Sequence, residues 1–306
     1  MIASTTFETL TAYNTLVVLA GTMLLGVAAG LTGTFMLLRR RALAGDVIGH
    51  AALPGVAIAF LIYSSIYPDA GKHLPTMLLG GAIASGSAML VVMWLRRVAK
   101  LPEDAVLAIV LSTYFGAGIV LLSVVQESTA GSQAGLRNFI FGQAAALRLN
   151  DVLLLTGIAG AAIIASMMLV KEWTLLCFDE GLCKVLGYPI WLLDLLLMTL
   201  VVCVCVAGMQ SVGLLLIVAM LVIPPSAARF WSDSIYPNLW ISGFFGAASA
   251  MLGGIASALI PKLSTGAVMV IVAASLLGLS VLVGRRHGLL YRWIDLRRLA
   301  TIRSSS

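Results

Sequence analysis

Gly45-Asp46-Val47-Ile48-Gly49-His50-Ala51-Ala52-Leu53-Pro54-Gly55 opens an apolar run that continues to Tyr63. The run is long enough to read as a membrane-crossing helix. Asp46 and His50 lie four residues apart, so a helix places them on one face, one turn from each other. Ionisable groups in hydrocarbon cost ~2.5–3.5 kcal/mol each on insertion scales, and chains keep them where they face a cavity or a partner. A carboxylate oxygen and a neutral imidazole nitrogen also suit a divalent transition metal. The pair points to a cation path through a membrane.

The rest of the chain agrees with a membrane setting. Of 306 residues, 60% are hydrophobic and only 10% charged, against about 25% charged in a soluble domain. Apolar runs near 14–38, 46–63, 75–95, 104–125, 150–170, 190–208, 211–231, 238–260 and 264–284 predict an all-α, polytopic bundle of about nine membrane helices. The count falls to eight if one short segment is re-entrant. Charges cluster between the runs, with Asp46 the main exception.

Basic residues concentrate in alternate loops: Arg39–Arg41; Arg96, Arg97 and Lys100; Lys171 and Lys184; Arg229; and the tail from Arg285. Lys72, Arg137, Arg148 and Lys262 fall on the other side. The basic side is expected in the cytoplasm together with the C-terminus, and nine spans then put the N-terminus outside. This topology explains the net charge of +6 without nucleic acid, and the tail also suits anionic lipid headgroups. Met1–Asn14 has no basic leader and carries Glu8, so no cleavable signal is expected.

Within the single membrane domain of residues 1–306, two loops stand out. Residues 171–189 form the longest central loop on the basic side. There Phe178 to Leu186 reads as a short amphipathic helix, with Asp179 and Glu180 in its first turn, Lys184 in its last, and Gly187 ending it before Pro189. It either docks a soluble partner or caps the bundle at the interface. Residues 126–150 form the longest loop on the other side, and Leu136–Gly142 suits a docking lip, a re-entrant segment or a membrane edge. Gly21, Gly26, Gly30 and Gly33, and later Gly243, Gly246, Gly253 and Gly254, suit close helix approach in lipid. Pro224-Pro225 marks either a hinge or a helix end. Cys177, Cys183, Cys203 and Cys205 read as small packing residues rather than a disulfide framework.

Each candidate ligand has a plainer reading. Asp46 suits a helix N-cap after a basic loop, and His50 a core histidine bonded to a carbonyl. His73, beside Asp69, is an external loop histidine that would capture metal or simply be solvated, and His287 lies in the tail. Glu103 and Asp104 suit a helix N-terminus. Ser112, Thr113 and Tyr114 either line a path or bond their own helix.

Thr32-Gly33-Thr34-Phe35 to Leu38-Arg39-Arg40, then Ala42 to Asp46 and His50 to Gly55, resembles the signature of zinc/manganese/iron-type ABC permeases. Further resemblance comes from Phe141-Gly142, Phe178-Asp179-Glu180 with Leu186-Gly187, Val212 to Leu216, Ile223-Pro224, Ala228-Arg229 and Thr265-Gly266-Ala267. It runs in order from about residue 15 to 290. Pro225-Ser226 departs from the small residues that more often follow Pro224. The resemblance implies a type II ABC importer-like permease in a bacterial cytoplasmic membrane, pairing with a second permease around one path. It implies a cytoplasmic ATPase pair and an extracytoplasmic metal-binding protein as partners, and no resident cofactor, the divalent metal being cargo. Asp46 and His50 become metal-site residues. Phe178, Asp179, Glu180, Leu182, Leu186 and Gly187 fall in the coupling helix that fits the ATPase. The Gly284–Leu290 stretch looks more like the manganese/iron branch.

The residues support this separately. No Gly-x-x-x-x-Gly-Lys-Ser/Thr phosphate loop is present, so an ATP-driven pump built on this chain takes its ATPase from elsewhere. Two copies would bring two carboxylates and two imidazoles to one pore. The competing readings are a secondary metal/proton transporter, which commonly carries repeats and more intramembrane acids, and an intramembrane metalloenzyme, for which no His-Glu-x-x-His occurs.

Overall fold

The computed structural model describes residues 13–67, 73–128, 149–259, 264–286, 288–289 and 291. Leu136–Gly142, Asp69, Lys72, Arg137, Arg148, Lys262, His287 and most of the basic tail lie outside them. The described residues form eleven α-helices in order: α1 Tyr13–Leu38, α2 Ala42–Ile66, α3 Leu74–Ala99, α4 Glu103–Ser128, α5 Leu149–Met168, α6 Val170–Phe178, α7 Glu180–Val185, α8 Ile190–Ser211, α9 Leu214–Ala228, α10 Ile235–Leu259 and α11 Thr265–Val283. Only helices are expected here, because hydrocarbon offers no water to satisfy backbone groups and each helix closes its own hydrogen bonds.

Eight of the described helices are long and apolar enough to cross a membrane. The predicted run near 211–231 became α9, whose 15 residues cover only ~22 Å at 1.5 Å per residue, short of a ~30 Å hydrocarbon core. It still carries the chain back to the basic end. Ser226 and Arg229 share a cavity there with Leu38 and Phe178, and Arg286 N–H donates to the Phe230 carbonyl at 3.1 Å. Pro224 and Pro225 sit inside α9 and the helix ends at Ala228, so they mark its last turn rather than a mid-membrane break.

Helix α1 is the hub, packing on α5, α8, α9 and α10. Its glycine face makes this possible: a Cβ on Gly26 would strike the Gly246 carbonyl, and one on Gly33 the Leu221 carbonyl. Ser242 Oγ donates to the Gly30 carbonyl at 2.8 Å at the same seam. Without a hydrophobic drive between helices in lipid, such backbone approach and buried hydrogen bonds supply much of the association. Helix α2 is held against α3 and α4, and Gly55 and Gly80 face each other's backbone. It is also the most buried span, which gives the Asp46/His50 segment a rigid seat.

Candidate functional site

The first turn of α2 begins at Ala42, after Arg41 as its N-cap residue. Asp46 is therefore a full turn inside the helix, and the capping reading is overturned. Its Oδ1 lies 3.3 Å from His50 Nε2. Two ligands each about 2.1 Å from a tetrahedral ion are about 3.4 Å apart, so the spacing already matches one edge of a metal site. His50 does not bond a neighbouring carbonyl: Nε2 faces the carboxylate, and buried Nδ1 has no hydrogen-bond partner. Phe115 of α4 holds the imidazole edge-on, with ring centroids 4.8 Å apart. The Asp46 side chain remains 38% exposed on the single chain. No group of three or more His, Cys, Asp or Glu side chains gathers among the described residues, so one chain brings two ligands to this point.

The other sequence candidates do not join them. His73 Nδ1 pairs with Thr76 Oγ1 at 2.7 Å and its ring stacks on Tyr63. Thr113 donates to the Ile109 carbonyl of its own helix, and Tyr114 pairs with Ser87. Thr113 and Tyr114 border an apolar cavity of about 700 Å³ between α2, α3 and α4, whose lining carries no metal-binding chemistry. All four cysteines are free, and Cys205 packs behind α2, its Sγ 4.0 Å from the Gly45 carbonyl. Burial pushes the Cys177 thiol up to about 11. Maleimide labelling of a variant retaining Cys177 alone is therefore expected to run about a hundredfold slower than at an ordinary thiol at neutral pH, and to speed up as pH rises and thiolate forms. Mass spectrometry of timed aliquots measures it.

The basic-side helix is shorter than the predicted Phe178–Leu186. Trp173 anchors its base: the ring is fully buried, lies 5.2 Å from Phe35, and donates from Nε1 to the Leu193 carbonyl. Asp179 caps α7, accepting from Leu182 N–H at 2.9 Å. The helix closes when Tyr188 N–H donates to the Cys183 carbonyl and Gly187 N–H to the Lys184 carbonyl. Gly187 takes φ +79°, the left-handed stop that glycine adopts at least cost. The result is a six-residue helix with Phe178, Leu182, Val185 and Leu186 exposed. Val185, 83% exposed, was missed by the sequence pattern, where a lone valine beside lysine carries no signal.

A second omission is larger. Asp194 sits in the first turns of α8, a second acid well inside a predicted run. Its Oδ1 accepts from Arg41 Nη1 at 2.6 Å and Arg39 Nη2 at 3.2 Å. Arg39 Nη1 also reaches Glu180 Oε1 at 2.6 Å and the Leu176 carbonyl at 3.0 Å. Arg41 Nε meets Glu103 Oε1 at 2.8 Å, and Arg96 meets the other Glu103 oxygen at 3.1 Å. Burial works against the Arg39 charge, but the Glu180 hydrogen bond and the Asp194 and Glu180 carboxylates outweigh it and raise its pKa. Between the two inward arginines, Arg40 takes φ +58° and points outward, a left-handed turn costing roughly 1–2 kcal/mol. Breaking a buried pair of this kind by removing one partner costs about 3–5 kcal/mol. Glu103 is thus an ion-pair member as well as a residue at a helix N-terminus.

Comparison with known proteins places this architecture. A family model described as ABC 3 transport family matches residues 12–284. The chain is 41% identical to the manganese transport system membrane protein MntC of Bacillus subtilis over 94% of its own length, and spans 64% of that protein. It is 37% identical to the zinc transport system membrane protein TroC of Treponema pallidum, covering 93% of this chain and 94% of that one. Among solved structures, PsaBC from Streptococcus pneumoniae in complex with Fab superposes with a TM-score of 0.80 at 28% identity, over 97% of this chain and 100% of that chain. An inward-facing metal-chelate type ABC transporter, 16% identical with a TM-score of 0.66 over 87% of this chain and 85% of that one, shares the fold. The chain belongs to the ABC 3 transport family, as a multi-pass membrane permease subunit with the fold of type II ABC importer permeases.

Proposed function

We propose that this permease carries a divalent transition metal ion, with Mn(II) favoured over Zn(II) and Fe(II), into the cytoplasm past Asp46 and His50. The observation that carries the reading is the 3.3 Å approach of Asp46 Oδ1 to His50 Nε2 on a membrane helix, with the carboxylate still part-exposed. A carboxylate at that place does not face lipid. A second permease covers it and supplies two more ligands, completing a four-ligand site of oxygen and nitrogen that suits these metals. The names of the Bacillus and Treponema relatives, one manganese and one zinc, support the metal class. The end of the bundle carrying Arg39, Arg96 and Arg229 faces the cytoplasm with the C-terminus, following the basic-residue bias. There α7 and its flanks, Phe178 to Gly187, seat on an ABC ATPase pair, and an extracytoplasmic metal-binding protein delivers cargo to the opposite face.

The test is competitive uptake of Mn(II), Zn(II) and Fe(II) into transporter-null cells carrying wild type, Asp46→Ala or His50→Ala at matched membrane levels. Uptake of one metal is expected to fall by more than about tenfold in both variants, since even a ligand's outer-shell partner is worth 10–100-fold in metal affinity. Normal uptake by both variants would remove the pair from the path. Uptake that survives loss of the ATPase and collapses with an uncoupler would indicate a metal/proton exchanger instead.

A further inference from the structure

We infer that Asp194, by gripping Arg39 and Arg41 together, is a positioning residue that ties movement of α7 to the helix bearing Asp46 and His50. The inference rests on the proposed roles of α7 and of that pair. Helix α7 packs chiefly on α6 and α8, and its polar connection toward α2 runs through side chains. Glu180, in the first turn of α7, holds Arg39, and Arg39 also takes the Leu176 carbonyl at the end of α6. Arg39 and Arg41 then meet on one oxygen of Asp194. Arg41 immediately precedes Ala42, the first residue of α2, and Asp46 follows one turn later. On its other side Arg41 reaches Glu103 at the start of α4, the helix whose Phe115 braces His50.

The physics of a buried ion pair makes the Arg39–Asp194–Arg41 part of this path a strut rather than a cushion, while its outer link to Glu180, whose side chain is 51% exposed, is backed by the Leu176 carbonyl bond. The side chains of Arg39, Arg41 and Asp194 are 12%, 8% and 8% exposed. A half-separated pair at such depth strands two charges away from water, so the contact is either kept or fully exchanged for another. The link between α1 and α2 is three residues long, and two of them are held by the same carboxylate. A displacement of α7 that drags Arg39 therefore displaces Arg41 and the start of α2, without needing apolar contact between α7 and α2.

The test uses the assembled permease and ATPase in proteoliposomes, with Mn(II) as cargo, and reads Mn(II) taken up per ATP hydrolysed. Asp194→Asn keeps the shape and an acceptor but removes the charge. It is expected to assemble and hydrolyse ATP while the uptake ratio falls roughly five- to a hundredfold, the span of ordinary coupling between sites. A purely architectural role would lower the amount of complex and both rates together, and an unchanged ratio overturns the inference. If Asp194→Asn fails to accumulate, Arg39→Lys is read instead, since it keeps a charge beside Asp194 but gives up the planar fork that holds Asp194, Glu180 and the Leu176 carbonyl together. A lowered ratio there supports the strut and an unchanged one overturns it. Absence of ATP-driven Mn(II) uptake by wild type would overturn the proposed manganese transport and this inference with it, whereas wild-type uptake with an unchanged variant ratio overturns the inference alone.

Discussion

Gly26→Val is expected to destabilise the protein by about 3 kcal/mol, the top of the usual range for overpacking, and to leave little folded protein in the membrane. A Cβ at Gly26 would meet the carbonyl of Gly246, and one at Gly246 would meet the carbonyl of Gly26. Neither neighbour is a side chain that can rotate away. The two helices must separate, and α1 then loses the Ser242–Gly30 hydrogen bond and the close seat of Gly33 on α9. Because α1 touches four other spans, the disturbance does not stay local. Gly160→Val is the control, since a Cβ there meets nothing within 4 Å. Thermal unfolding and size-exclusion profiles of the two variants in detergent measure the difference. Equal midpoints would show that the α1–α10 seam is not what limits stability.

Leu182→Asp and Val185→Asp are expected to leave the permease folded yet weaken its association with the ATPase roughly 30- to 1,000-fold, the 2–4 kcal/mol of an interface hot spot. Leu182 and Val185 are 46% and 83% exposed, so a charge there meets water in the free permease and the core does not feel it. If α7 seats on the ATPase as proposed, the same positions are desolvated in the assembled importer, and an unpaired carboxylate is penalised. The helix is presented rigidly: Asp179 caps one end, Gly187 stops the other, and Trp173 locks the base against Phe35. Co-purification of tagged ATPase with the permease checks it. Undiminished recovery would place the docking surface elsewhere.

How legible each part was depended on whether its physics is local. Apolar run length reports spans directly, and the nine predicted runs are nine helices. Only α9 proved short, because Gly213 at φ +104° delays its start to Leu214 and the helix already ends at Ala228, three residues inside the run at each end. The i, i+4 spacing of Asp46 and His50 likewise placed both on one face. By contrast Asp194 was hidden in Ile190-Trp191-Leu192-Leu193-Asp194, where one acid in an apolar stretch gives no period to detect. Arg39 and Arg41 carried a topological signal that masked their second use, because a basic loop reads the same whether its guanidinium groups point into water or inward.

The sequence by itself determined that this chain lies in a membrane, where its apolar runs fall, and that α2 carries an acid and an imidazole on one face. These follow from burial and helical periodicity, which act over a few residues. Only the tertiary structure decided which glycines meet, that Gly26 faces Gly246 and Gly55 faces Gly80. It alone decided that Asp46 lies inside its helix, and that one carboxylate of α8 gathers two arginines 153 and 155 residues away. Such pairings depend on how separate helices pack, and hydrocarbon that leaves each helix equally apolar on most faces prints no record of its neighbours in the local pattern.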